Sequence, residues 1–305
     1  MSSTRRLGQS PAPAYTLLHL SDAHFLADEA RLFGSVDTDR GLTAALDRIE
    51  KSEIVPDAIV VTGDLADLGE PDAYARLKSL VDPVAASLAV PVVWVMGNHD
   101  ARRPFAAELF GEDVTDETQD RVWRVGGLRI IALDTSVPGY NHGELTDAQL
   151  TWLAAELSVE APVGTILAMH HPPISSPIEI MGIIELQERD RLASVLADSD
   201  VRAILAGHLH YSTFGTFAGI PVSVAAATCY TLDVGWAPGE FAGVDASQSF
   251  NLVEVFADHI VHSVIPAFEQ PVVSRYSRER LDELRAMTPN DRIESFSRHR
   301  HAPQT

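Results

Sequence analysis

Tyr15-Thr16-Leu17-Leu18-His19-Leu20-Ser21-Asp22-Ala23-His24 is the stretch on which the reading of this chain turns. Tyr15–Leu20 reads as a buried strand that stops at Ser21-Asp22. Asp22 and His24 stand two apart, so an extended backbone sets both side chains on the same side. An aspartate and a histidine presented together at a strand end can bind a metal ion. One such pair is common by chance, and its weight depends on repetition.

The pattern repeats. Ala58–Thr62 is a short apolar strand ending at Gly63-Asp64, and Val92–Met96 is another, ending at Gly97-Asn98-His99-Asp100. Gly164–Met169 ends at His170-His171, and Arg202–Ala206 at Gly207-His208-Leu209-His210. Between them, Leu42, Ala45, Leu46 and Ile49 recur at helical spacing and predict a helix over 39–52. Residues 71–82 read as a second helix, which Pro83 breaks or restarts. Thr146 with Gln149 forms a capping-box pattern ahead of Leu150, Leu153 and Leu157. Leu186, Leu192, Val195 and Leu196 predict a helix over 185–198. Arg121–Val125 and Leu128–Leu133 flank Gly126-Gly127 as a hairpin. Thr213–Phe217, Pro221–Ala226, Asn251–Phe256 and His259–Ile265 make the following part β-rich. In layered α/β proteins ligands gather outside the carboxyl ends of the strands, so the five ends converge on one rim. Gly63, Gly97 and Gly207 precede the candidate ligands, where glycine permits a tight turn or a close backbone approach. Taken singly, Asp64 is equally a helix cap, and His170-His171 before Pro172-Pro173 equally a loop. Taken together and in order, they argue for a metal centre.

Acidic residues number 43 against 23 basic, a net charge of −20. Such a surface lacks the footprint of a nucleic-acid binder and repels anionic substrates at long range. Bound cations reverse that sign locally, so phosphate chemistry here requires metals. The single cysteine, Cys229, excludes an intrachain disulfide and suits a reducing, cytoplasmic setting. Residues 1–14 hold Arg5 and Arg6 with no apolar run behind them, unlike a signal peptide. No stretch reaches the ~18 apolar residues of a membrane span. Residues 1–14 read as a flexible tail, 15–268 as one domain, and 269–305 as an extension, partly helical or disordered. Its Arg275, Arg278, Arg280, Arg298 and Arg300 read as a solvated end rather than a binding patch.

In order and spacing, Asp22-Ala23-His24, Gly63-Asp64, Gly97-Asn98-His99-Asp100, His170 and Gly207-His208-Leu209-His210 resemble the motifs of the calcineurin-like metallophosphoesterase superfamily. The segments 19–22, 202–213, 219–224 and 227–231 look like its class III cyclic nucleotide phosphodiesterase branch, the mycobacterial type in particular. Phe25 and Leu68 stand where the protein serine/threonine phosphatases have glycine and arginine, and so point away from those enzymes. The resemblance implies a four-layer α/β/β/α sandwich and two metal ions drawn from Mn, Fe, Zn or Co. It assigns Asp22, His24, Asp64 and His210 to the first ion and Asp64, Asn98, His170 and His208 to the second, with Asp64 shared. It implies hydrolysis of 3′,5′- or 2′,3′-cyclic AMP and simple phosphodiesters by a hydroxide held between ions roughly 3.5–4 Å apart. It is also compatible with a homodimer built on the β-rich half.

His99 cannot easily ligate in the same direction as its neighbour Asn98. It is expected to face the substrate, binding the phosphate or protonating the leaving alkoxide. Asp67 is the candidate for orienting His99, or else a turn residue, and Asp100 reads as a structural hydrogen-bonding partner. The loop 172–184, with Pro172, Pro173, Ile180 and Met181, reads as ordinary loop packing or as an apolar wall near the metals. Two other functions stay open. One is a broad phosphodiesterase of the glycerophosphodiester type. The other is a non-catalytic scaffold, which would be expected to have lost ligands or His99.

Overall fold

The computed structural model describes residues 7–8, 10–113, 115–237 and 239–298, so most of the first nine residues and the end carrying Arg300 lie outside the described residues. The elements run β1 (Tyr15–Leu20), α1 (Thr38–Lys51), β2 (Ala58–Thr62), α2 (Pro71–Leu88), β3 (Val92–Val95) and α3 (Arg102–Phe110). They continue with β4 (Arg121–Val125), β5 (Leu128–Leu133), α4 (Asp147–Leu157), β6 (Thr165–Met169), α5 (Arg189–Leu196) and β7 (Val201–Ala206). The β-rich part holds β8 (Thr213–Phe217), β9 (Ile220–Val224), β10 (Thr231–Leu232), β11 (Gly243–Val244), β12 (Ser249–Val255) and β13 (Ile260–Pro266).

Strand alternation builds the layers. One sheet has the order β13-β12-β1-β2-β3 and the other β4-β5-β6-β7-β9-β8. Along β1 and β2, Leu18, Leu20, Ile59 and Val61 join Leu42, Leu46, Tyr74 and Phe105 of the helices over the first sheet. Leu17, Ala58 and Val60 face the other way, where they meet Ile130, Ile166, Ala203 and Leu205 of the second sheet. Ile204 and Ala206 of β7 turn outward again onto Leu150, Leu153 and Leu192 of α4 and α5. The result is the four-layer α/β/β/α sandwich. β1, β2 and β3 are parallel, as are β5, β6, β7 and β9, so the candidate ligands all follow carboxyl ends.

Local chemistry explains most element ends. The Asp37 side chain caps α1 by accepting from the Arg40 backbone N–H at 3.0 Å. Thr146 and Gln149 form the reciprocal capping box on α4. Two expectations need correction. α2 runs unbroken through Pro83. Pro83 and Ser79, whose carbonyl the proline leaves free, are both exposed, so water can satisfy that carbonyl while Val81, Val84 and Ala85 stay buried. The helix expected over 185–198 covers only Arg189–Leu196. Leu186 belongs instead to a bridge with Gly143, and Glu188 turns left-handed at φ 48°. The pattern also gave no warning of α3, which buries only Phe105, Ala106 and Leu109.

Ala14–Glu269 forms one compact unit, and a second draws on residues up to Pro13 and from Gln270 onward. The second holds α6 (Arg278–Ala286) and α7 (Pro289–Arg292), and Arg292 Nη1 donates to the Leu7 carbonyl at 2.8 Å. Among the described residues no helix is long and apolar enough to cross a membrane.

Arg129 on β5 is 1% exposed. Its Nε donates to Thr165 Oγ1 at 2.8 Å, one Nη to the Val159 carbonyl at 2.8 Å, and the other to Asp200 Oδ1 at 2.7 Å. Removing one partner of such a buried pair strands the other. Arg129→Met is therefore expected to destabilise the fold by about 3–5 kcal/mol, measured by urea unfolding. A loss below about 1 kcal/mol would mean that the pair is solvated.

Candidate metal centre

The side chains expected at the five strand ends lie together. Asp22, His24, Asp64 and His210 form one group of ligand atoms within 4.8 Å of one another, and all four residues are buried. His24 Nε2 lies 3.4 Å from Asp64 Oδ2, and His210 Nε2 lies 3.4 Å from Asp22 Oδ1. Next to this group, His170 Nε2 is 3.2 Å from the same Asp64 Oδ2 and 3.1 Å from Asn98 Oδ1. The His208 ring stands against His170 with centroids 5.0 Å apart. One carboxylate oxygen of Asp64 thus reaches both groups, while its other oxygen accepts from the His99 backbone N–H at 2.9 Å.

The backbone corrects one expectation. Asp22 (φ 52°), His24 (49°), Asp64 (50°), His208 (69°) and His210 (56°) all occupy the left-handed region. An extended strand therefore does not present the Asp-x-His and His-x-His pairs. A chain that has left the strand winds back and turns each side chain inward, a conformation uncommon outside glycine, for which aspartate, asparagine and histidine are the enriched exceptions. Strain of this kind concentrates at functional sites. Leu209, between the two histidines, packs into the core over the second sheet.

The turns fit together because three positions lack a side chain. A Cβ on Gly207 would overlap the Ser21 hydroxyl, one on Gly97 would overlap Asp64, and one on Gly63 would stand 2.5 Å from His170 Nδ1. Asp100 pins two of these turns. It accepts from the Gly97, Leu65 and Ala66 backbone N–H groups at 2.8, 3.1 and 3.1 Å, and from the Tyr74 hydroxyl at 2.9 Å. Burial, helped by the Asp64 charge, pushes its carboxyl up to about 6.

Each imidazole is held by its far nitrogen. His170 Nδ1 donates to the Thr62 carbonyl at 2.7 Å, His210 Nδ1 to the Tyr230 carbonyl at 3.0 Å, and His208 Nε2 to the Ile184 carbonyl at 2.9 Å. His24 Nδ1 bonds Asp67 Oδ1 at 2.9 Å. Such outer partners fix tautomer and ring orientation at metal sites. In neutral rings they also turn the near nitrogens into bare lone pairs. His24 Nε2 and His210 Nε2 then face each other at 3.1 Å, and His170 Nε2 faces two oxygens. Those contacts repel. Burial disfavours charge on the His170 ring, but the Asp64 and Asp22 carboxylates raise its pKa to about 9, so a proton there relieves part of the repulsion. A cation relieves all of it, and the donor set fits metal ions. Nitrogen and oxygen donors together suit first-row ions.

His99 stands apart from the ligands, half-buried and 4.7 Å from the His24 ring. Its Nδ1 donates to the Asp67 carbonyl at 2.9 Å and lies 3.3 Å from Asp67 Oδ1, which leaves Nε2 for the cleft. Burial disfavours charge on this ring, but the Asp67 hydrogen bond and the Asp64 carboxylate outweigh it and raise its pKa to about 10. Bound cations would act in the opposite sense.

Two kinds of contributor escaped the sequence reading, a second histidine and a set of backbone carbonyls. His171 packs on the His208 ring at 4.4 Å, accepts from Thr135 Oγ1 at 2.8 Å and donates to the Asn141 carbonyl at 3.1 Å. Burial and the neighbouring His170 lower its pKa to about 3, so it stays neutral. Its only signal was the His-His pair. The carbonyls of Thr62, Ile184 and Tyr230 had none, because every residue carries one. The cleft of about 490 Å³ over the centre is also lined by Phe33, Tyr230, Ile180, Met181 and Ile183, so the loop 172–184 does contribute an apolar wall.

Comparison with known proteins agrees with this geometry. The model of the calcineurin-like phosphoesterase family matches residues 15–212. A cAMP/cGMP dual specificity phosphodiesterase of Mycobacterium tuberculosis is 54% identical over 261 residues, 86% of this chain and 82% of its own. A 3′,5′-cyclic adenosine monophosphate phosphodiesterase of Pseudomonas aeruginosa is 32% identical over 225 residues, 73% of this chain and 78% of its own. Among solved structures, a dimetal phosphatase from Danio rerio superposes with a TM-score of 0.59 at 17% identity, covering 84% of this chain and 98% of that one.

Proposed function

The chain belongs to the calcineurin-like phosphoesterase family, and from that premise we propose that it is a metal-dependent phosphodiesterase of cyclic nucleotides. The observation that carries this reading is Asp64 Oδ2, which stands 3.4 Å from one candidate ligand, His24, and 3.2 Å from another, His170, in the adjacent group. The named activities of relatives at 54% and 32% identity support the substrate class. Asp22, His24, Asp64 and His210 would hold one ion and Asp64, Asn98, His170 and His208 the other, with Mn, Fe, Zn and Co all suited to the donors.

When bound, such ions supply an activated water and polarise the phosphoryl oxygens. The chain's own residues do the rest. Asp64 belongs to both groups of ligands and links them. Asp67 holds the His24 ring with its carboxylate and the His99 ring mainly with its backbone carbonyl. His99 Nε2 hydrogen-bonds the phosphate or gives its proton to the departing alkoxide. His99→Ala is expected to retain both ions and to lower kcat on cyclic AMP by about 10²–10⁴-fold. On a nitrophenyl diester, whose leaving group needs no proton, the loss should be far smaller. Equal losses on both substrates would rule out proton donation.

The test of the whole reading is a substrate panel after reconstitution with Mn, Zn or Fe. Cyclic AMP and cyclic GMP should be turned over in preference to glycerophosphodiesters, with two ions per chain by elemental analysis. The opposite preference would refute it. A homodimer is a further proposal, supported by exposed Phe214 and Val264 on strands β8 and β13, where Phe214 lies 6.4 Å from His262. A monomeric mass on sedimentation would refute it. A cytoplasmic setting is proposed on the single, buried cysteine, Cys229.

A further inference from the structure

Away from the metal centre and from Asp67 and His99, the cleft is lined mainly by apolar and aromatic residues, with Asn141 and Tyr230 among them. Each wall is fastened to a ligand histidine. On one side the Tyr230 carbonyl holds His210, and the Tyr230 ring packs on the His210 ring at 4.5 Å. Phe33 meets Tyr230 edge-on at 5.3 Å, which makes a ladder from His210 outward. On the other side Ile180 and Ile183 sit on a short helical turn, and the carbonyl of the next residue, Ile184, holds His208.

These side chains are oddly displayed for apolar residues. Phe33 is 73% exposed and Ile183 also 73%, and Phe33 has φ 53°, a conformation unusual for a bulky residue. The backbone thus keeps the Phe33 ring out of the core and on the rim of the cleft. Flat aromatic faces beside a phosphate-binding centre suit one part of a nucleotide, its base, because every base has a face to stack.

We infer that Phe33 and Tyr230 on one wall and Ile180 and Ile183 on the other form the nucleobase subsite of this enzyme, with Phe33 as its stacking platform. The inference rests on the reading of the centre as a cyclic nucleotide phosphodiesterase. Because the walls are mostly apolar, the subsite recognises the face of the base more than its edge, and adenine and guanine are accepted alike.

Calorimetric titration of the manganese-loaded protein with AMP, GMP and ribose 5-phosphate tests this without turnover. AMP and GMP should bind within about threefold of each other, and roughly tenfold or more tighter than ribose 5-phosphate, the size of one base–aromatic stack. Phe33→Ala should bring the ratio of AMP to ribose 5-phosphate affinity close to one, and Phe33→Trp should preserve it. Ile183→Ser, on the other wall, should lower the ratio as well. A wild-type ratio near one, or a ratio that survives Phe33→Ala, overturns the subsite. Failure to hydrolyse cyclic AMP, with the ratio and its loss in Phe33→Ala intact, would instead overturn the assigned reaction and leave the subsite standing.

Discussion

Asp64→Ala is expected to abolish measurable turnover, a fall of about 10³-fold or more. The ions of such centres contribute several kcal/mol, and each 1.36 kcal/mol is a factor of ten. The reason is geometric. Asp64 Oδ2 is shared between His24 at 3.4 Å and His170 at 3.2 Å, and Oδ1 fixes the backbone of His99 at 2.9 Å. Removing the side chain therefore weakens both candidate ion sites and frees the proposed acid in one step. Metal content should fall below one ion per chain. Asn98→Ala, whose side chain lies 3.1 Å from His170 Nε2 in the second group, should leave one ion bound and cost less. If both variants retained two ions, the assignment of Asp64 as the shared ligand would be wrong.

Gly207→Ala is the second large effect, and it comes from a single methyl group. The added Cβ would overlap the Ser21 hydroxyl and stand 2.7 Å from both Asp22 Oδ2 and the Thr62 carbonyl. Asp22 cannot yield freely, because both of its oxygens accept from the His208 backbone N–H at 3.1 Å. Overpacking of this kind costs about 1–3 kcal/mol, occasionally more, or roughly 2–6 °C in Tm for a unit of this size. Weaker binding of the ion held by Asp22 and His210 should accompany it. The double variant Ser21→Ala/Gly207→Ala, which removes the nearest obstructing atom, should recover part of both losses. Recovery of neither would place the damage elsewhere in the turn.

Much of this centre was legible in the sequence, for a definable reason. Ligand chemistry is a property of side chains, and Asp22, His24, Asp64, Asn98, His170, His208 and His210 announce themselves at the ends of apolar runs. The layers were not legible in this way: the apolar runs of β1 and β2 gave strands, the four-layer sandwich came from the family resemblance, and continuous apolar runs do not say that Leu17 and Val60 face one side and Leu18 and Val61 the other. The means of presentation was not legible. Four left-handed residues, Asp22, His24, His208 and His210, do what an extended strand was expected to do, and a spacing of two does not distinguish the two conformations. The carbonyls that aim the rings carry no sequence signature at all. α2 survived Pro83 because its freed carbonyl faces water, a matter of orientation that the residue string does not contain. Leu186 kept a helical beat while serving a bridge, because periodicity cannot tell one buried partner from another.

The carbonyls of Thr62, Tyr230 and Ile184, with the carboxylate of Asp67, clamp four imidazoles through hydrogen bonds that involve no ion. The fold itself thus aims each of these rings, and an ion has only to relieve the crowding of their near nitrogens. Rings aimed in this way would offer the same nitrogen and oxygen donors to every first-row cation that reaches them. Cellular supply, more than any adjustment by the scaffold, would then decide which one is found inside.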